Sequence, residues 1–219
     1  ILFIPKLSVQ ANNSNGMLQG NTTTLNVLQS ASNNTNHTQI KAYNFSDDLL
    51  FRHRFNKKGR TLSVTLTTGI NGSDGKNDLY ASNNYYIKDT ATVSVIDQQS
   101  KTAKKGSNIG GNLMYTEPLS EKSTLTINYS NTFQFNNSDK KTYNYTLADE
   151  RYSSLDTSLS NQFDNNYVTH KGGLGYRFNT KKVQLTTTIN YQQSILTSNQ
   201  LYPYEFTLKK RFENVLPSA

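Results

Sequence analysis

The residues best suited to chemistry are three histidines, His37, His53 and His170, and there is no cysteine to assist them. A metal centre needs several such donors close in space, usually announced by paired spacing such as His-Glu-x-x-His. These three sit in unrelated segments without that pairing, so no metal is expected. Asp149, Glu150 and Asp156 could form an acid/base pair only if the fold brought two of them together. A solvated loop is the simpler expectation. Gly72-Ser73-Asp74-Gly75 reads as a turn, and no nucleophile elbow, phosphate loop or dinucleotide fingerprint occurs. The sequence therefore predicts no enzyme, no catalytic residue and no cofactor.

The elements that hold these residues must be built from an unusual mixture. Of 219 residues only 34% are hydrophobic and 17% charged, the net charge is +8, and the mean hydropathy is −0.69. The bulk is Asn, Thr, Ser, Gln and Tyr. Ten Phe and 14 Tyr argue against disorder, and no apolar run is long enough for a transmembrane helix.

Alternation of period 2 is frequent. Leu62, Val64, Leu66 and Ile70 alternate with Ser63, Thr65, Thr67 and Gly69. The same pattern runs through Leu125 to Phe135 and Val183 to Tyr191. Such segments have one apolar and one polar face when extended, and their Thr, Val, Ile and Tyr suit a pleated surface. Strands are expected to flank tight tips at 56–59, 117–122 and 179–182, with long polar stretches at 13–41, 72–104 and 137–165 between the hairpins. The latter are read as strand extensions joined by mobile tips. Thr126-Ile127-Asn128-Tyr129 recurs as Thr188-Ile189-Asn190-Tyr191, and Gly110-Gly111 as Gly172-Gly173, both at a separation of 62 residues. A unit of strand, short turn, strand and long connection repeats.

Tight and long connections in alternation predict an all-β, antiparallel up-and-down transmembrane β-barrel, or an arc of one, with short periplasmic turns and long extracellular loops. Each alternating run has about the 9–11 residues a tilted strand needs to cross hydrocarbon. Lipid would take the apolar parity, with Phe51, Phe55, Tyr115, Tyr176 and Phe178 as interface aromatics beside the tips. Tyr129, Phe133 and Tyr191 would form a second band farther along. His53 falls on the lipid parity as an interfacial residue. The lumen parity takes Arg52, Arg54, Thr126, Asn128, Arg177 and Asn190. The three arginines would contact a plug, line a polar interior or form interior salt bridges. Lys101, Lys104, Lys105, Lys140 and Lys141 have two readings: partners for lipid phosphate or anionic glycan, or a solvated loop surface. Their dispersion and the lack of a recognition helix argue against nucleic acid as a partner.

The hairpin Leu50-Phe51-Arg52-His53-Arg54-Phe55-Asn56-Lys57-Lys58-Gly59-Arg60-Thr61-Leu62 resembles the Bacteroidetes-type outer-membrane β-barrel family, itself similar to TonB-dependent receptors. So do Tyr115-Thr116-Glu117-Pro118-Leu119-Ser120 and Gly175-Tyr176-Arg177-Phe178. Phe212 to Ala219 resembles the lead-in to a further strand of that family. The resemblance covers most of residues 42–219 and implies a location in the Gram-negative outer membrane. The chain, 1–219, would be a single β-barrel region without a plug domain, an internal arc of a nutrient transporter or receptor. Its implied partners are outer-membrane lipid, the remainder of its own barrel and plug, and an energy-coupling inner-membrane complex; the ligand-binding residues are unknown. The competing reading is a soluble or surface-exposed β-sheet module of structural or adhesin type, whose apolar face would be buried against a second sheet.

Overall fold

A computed structural model describes residues 1–87 and 90–218. The chain is all-β: β1 (Leu2–Thr24), β2 (Val27–Arg54), β3 (Thr61–Ile87), β4 (Thr90–Pro118), β5 (Ser123–Thr146), β6 (Arg151–Asn179), β7 (Gln184–Tyr202) and β8 (Phe206–Ser218). They form one eight-stranded antiparallel sheet in sequence order, and the sheet is not closed: β1 and β8 are its edges. The terminal segment Phe212 to Ser218 belongs to β8, paired to β7.

The tips expected near residues 58, 120 and 180 are turns. Gly59 takes a left-handed φ of 85°, which a residue without Cβ adopts freely. Adjacent turns are tied together, with the Asn179 amide donating to the Lys122 carbonyl at 2.7 Å.

At the opposite end of the sheet the polar stretches are strand extensions, as their sequence suggests, but the long loops expected there give way to short connections. The polar stretches stay in the ladder almost to their ends, so that β2, β4 and β6 reach 28, 29 and 29 residues. Their connections are short there too: Leu25-Asn26 links β1 to β2, and 147–150 links β5 to β6. Both Leu25 and Asn26 have positive φ, 50° and 62°, as a two-residue type I′ hairpin turn requires. The physical reason is side-chain pairing between strands. Gln98 donates to Asn144 at 2.9 Å, Thr38 to Asn77 at 2.7 Å, and the Ser100 and Thr142 hydroxyls lie 2.9 Å apart. Short polar side chains that favour loops when isolated here satisfy one another across the ladder. The β3–β4 connection lies outside the described residues.

Register assigns every residue to a face. Across β3 to β7, one face carries Leu62, Tyr115, Ile127, Leu174 and Ile189 in one row, and Val64, Leu113, Tyr129, Gly172 and Tyr191 in the next. Three further rows reach Ile70 and Phe135; they hold Leu66, Ile109, Phe133, Val168 and Ile195 together with the uncharged polar Asn131, His170, Gln193, Ser107, Asn166 and Thr197. These five rows on five strands contain no Asp, Glu, Lys or Arg. The opposite face is mainly polar, with Met114, Tyr167 and Leu196 among its exceptions.

Nothing covers the apolar face. Ala81 is the one buried hydrophobic residue among those described, whereas Leu66, Ile70, Tyr129, Leu174 and Ile189 are 41–53% exposed. The accessible surface is 15235 Å², against roughly 10,000 Å² for a compact monomer of 24.7 kDa. This is a single-layer sheet without a two-layer core. Of the small buried residues, Gly69, Ala81, Ser138, Thr142, Gly175 and Ser194 lie on the polar face, and Gly72, where a Cβ would fall 2.6 Å from the Tyr43 ring, lies on the other.

Two places depart from the pattern. Asp47 on β2 stands on the apolar face and accepts a hydrogen bond from the Thr68 hydroxyl. On β8 the polarity is inverted. Its register puts Lys209, Arg211 and Glu213 on the apolar face, and Leu208, Phe212 and Leu216 on the polar one.

Candidate functional site

The residues expected on the lumen side share the polar face. Arg52 lies in one cross-strand row with Ser63, Met114, Asn128, Gly173 and Asn190. Arg54 and Thr126 occupy the neighbouring row toward the turns, and Arg177 the row beyond, opposite Thr124 and Thr186. Thr126, Asn128, Arg177 and Asn190 line one groove of about 410 Å³ together with Asn112, Thr186 and Thr188. Arg52 and Arg54 are on β2, three strands away, and do not line it.

The groove is built around a missing side chain. Asn128 donates its Nδ2 to Asn190 Oδ1 at 3.1 Å, from β5 to β7 across the intervening β6. The residue between them is Gly173, where a Cβ would fall 2.1 Å from Asn190 Oδ1 and 2.7 Å from the Ile189 carbonyl oxygen. Any larger residue would occupy the path of the bond. The two asparagines are equivalent positions of the 62-residue repeat, which places its copies two strands apart with β6 between them. Three amides, three threonine hydroxyls and one guanidinium give the groove donors and acceptors with little charge, suited to a polar, largely uncharged solute.

The expected interface aromatics Phe51, Tyr115, Tyr129, Tyr176, Phe178 and Tyr191 lie on the apolar face, and Phe55 stands at the β2 tip beside His53, ring centroids 4.6 Å apart. Their spacing differs from the expected two bands. Phe51 pairs with Val64, in the same row as Tyr129 and Tyr191, so these three are level in the ladder. The far limit of the apolar rows is marked instead by Tyr43, Phe45 and Phe135. Strand alternation was readable from sequence, but relative position between strands depends on register.

A charged cluster at the turns had not been anticipated. Arg60 grips Glu117 with two bonds of 2.7 and 2.8 Å, and Lys57 and the Tyr115 hydroxyl add bonds of 2.6 and 2.7 Å. Glu117 lies at the tip end of β4, beyond the apolar rows. Its carboxyl is held down at about 2, first by the Arg60 hydrogen bonds and then by Lys57 and Tyr115. The cluster joins the β2–β3 turn to the end of β4. The signal available in sequence was opposite charge at corresponding ends of successive repeat units.

The residues first inspected for chemistry are dispersed. His37 is hydrogen-bonded to Asn15 in the far half of the sheet, and His170 meets the Tyr129 hydroxyl at 2.8 Å. Asp149 and Glu150 are in the β5–β6 turn. Asp156 instead closes a bulge on β6, accepting from the Ser158 hydroxyl at 2.6 Å and the Leu159 amide at 3.1 Å. Those bonds, the Ser158 one foremost, hold its carboxyl below the ordinary range. Among the described residues no three His, Asp or Glu side chains are grouped to hold a metal ion.

The candidate basic residues divide between faces: Lys104 and Lys140 on the polar face, Lys101, Lys105 and Lys141 on the other. Lys76, not singled out from sequence, stands beside Lys101, which stands beside Lys141. No protein-family model matches the chain, and no curated protein is significantly similar to it.

Proposed function

We propose that this chain is part of the wall of an outer-membrane β-barrel, a segment of a transporter or receptor resembling the TonB-dependent kind, with an unidentified polar nutrient as cargo. One observation carries the reading: an uncovered, mainly apolar face, free of Asp, Glu, Lys and Arg over nine residues from Leu62 to Ile70 and their partners on four further strands, backed by a mainly polar face. Nine residues is the length a tilted strand needs to cross hydrocarbon. In water, a patch of this extent on a monomer would be an association hazard.

On this reading the polar face lines the lumen, and the groove around Asn128, Arg177 and Asn190 lies on the route through it. The free edges of β1 and β8 would pair with the remainder of the barrel, because each unpaired backbone group in hydrocarbon costs several kcal/mol. A plug and an energy-coupling complex would act through that remainder.

The test is folding of residues 1–219 with and without detergent micelles or lipid vesicles, followed by circular dichroism, size and heat-modifiable gel mobility. Sheet structure that forms only with amphiphile supports the membrane wall. A monodisperse, cooperatively folded protein in plain buffer overturns it in favour of a soluble surface module.

A further inference from the structure

We propose that the lysine row Lys76, Lys101 and Lys141 binds the phosphate of a lipid headgroup at the outer rim of the apolar belt. The inference rests on the membrane reading above and adds a ligand to it. Three strands place these lysines directly opposite one another, Lys76 with Lys101 and Lys101 with Lys141. Like charges in such pairs destabilise a sheet, so an anionic partner would relieve a cost the fold otherwise bears. The outer two are partly compensated, Lys76 by Asp78 and Lys141 by Asp139, each at 3.0 Å. Lys101, between them, makes no ion pair among the described residues.

Position selects the ligand. The row stands on the same face, six residues beyond the Ile70 row that ends the charge-free belt. That is about 20 Å along the strand and about 14 Å in height at a tilt near 45°, within reach of a saccharide headgroup for a lysine whose stem reaches back toward lipid. The three lysines and Lys41 line a groove of about 400 Å³, against two carboxylates, Asp74 and Asp139. Asp139 Oδ1 is buried without a hydrogen-bond partner, an acceptor suited to a sugar hydroxyl. The chemistry fits a phosphorylated saccharide headgroup. Lys104 and Lys140, on the opposite face, take no part.

The chain is inserted into neutral phosphatidylcholine vesicles containing a small fraction of a diphosphorylated glucosamine-disaccharide lipid or its dephosphorylated form. Lipid retained after detergent extraction is then counted by native mass spectrometry. Wild type should prefer the phosphorylated lipid on the order of a hundredfold, three lysines each adding electrostatic attraction. The K76Q/K101Q/K141Q variant should lose the preference, K101Q alone should lose about fivefold, and K104Q/K140Q should keep it. Equal retention by wild type and the triple variant, both inserted, overturns the site and leaves the membrane reading standing. Displacement by excess inorganic phosphate overturns a headgroup site in favour of a free-anion one. Wild type that folds cooperatively in plain buffer and stays out of neutral vesicles overturns the membrane reading and this site with it.

Discussion

One face of the sheet is two surfaces laid end to end. From the Leu62 row to the Ile70 row it has no formal charge on β3 to β7. From Gly72 outward the same strands carry Asp74, Lys76, Asp78, Asp97, Lys101, Lys105, Asp139, Lys141 and Asp164 on that same face. Backbone pairing is continuous across the boundary, so secondary structure does not mark it. What changes is side-chain chemistry. On the proposed membrane reading, a strand uniform as a hydrogen-bonded object has its side chains divided between hydrocarbon and water.

The largest break in that comparison should come from one charge placed in each half of β4. On the membrane reading, Leu113→Arg falls in the belt one row from its middle and is expected to cost about 2 kcal/mol of stability in bilayers, the penalty for a lipid-facing cation short of the midplane. Val93→Arg, on the same face in the far half, should change stability by less than about 0.5 kcal/mol. Urea titration in lipid vesicles measures both, and equal costs would erase the boundary. Glycines sharpen the contrast next. Gly173→Ala drives a methyl into Asn190 and should cost about 1–3 kcal/mol as overpacking. Gly75→Ala, whose nearest neighbours would be 3.8 Å away, should stabilise by about 0.4–1 kcal/mol. The same denaturation series reads the opposite signs.

A smaller gain is expected at the far hairpin. Leu25→Asn with Asn26→Gly supplies residues that accept positive φ and should raise amide protection of the β1–β2 end by about 1 kcal/mol. The smallest effect concerns the cluster at the turns. Glu117 titrates at about 2 rather than its ordinary 4.5, so its contribution is complete above 4.5 and is lost as pH falls toward 2. Glu117→Gln should flatten that acid dependence, and added salt should weaken it in wild type; melting temperature against pH follows both.

Much of the architecture was legible in residues. Alternation in Leu62 to Ile70 gave strand and face, and the turn residues around Gly59 and Pro118 gave the tight ends. In the far half, 13–41 and 72–104 were legible as strand extensions, but the long loops expected with them were not, because Asn, Ser and Thr favour turns when considered singly. Whether they pair depends on a partner strand that sequence does not place. The Asn128–Asn190 bridge was half visible, since the repeat named both residues and put both on the polar parity. Their meeting required Gly173 between them, a matter of register. Lys76 was missed for the same reason: its significance lies in Lys101 and Lys141, 25 and 65 residues away. On β8 a one-residue change of register would exchange the positions of Arg211 and Phe212, so local pattern and pairing disagree there.

The continuous ladder also has a mechanical consequence. Beyond Gly72 the sheet runs for roughly 50 Å along the strands before it turns, with little slack chain at its described ends. A barrel made with such walls would have a stiff collar in place of yielding loops. Large particles would be stopped at a fixed height by the collar's rim, and solutes small enough to enter would travel a long polar shaft before reaching the level of the lipid.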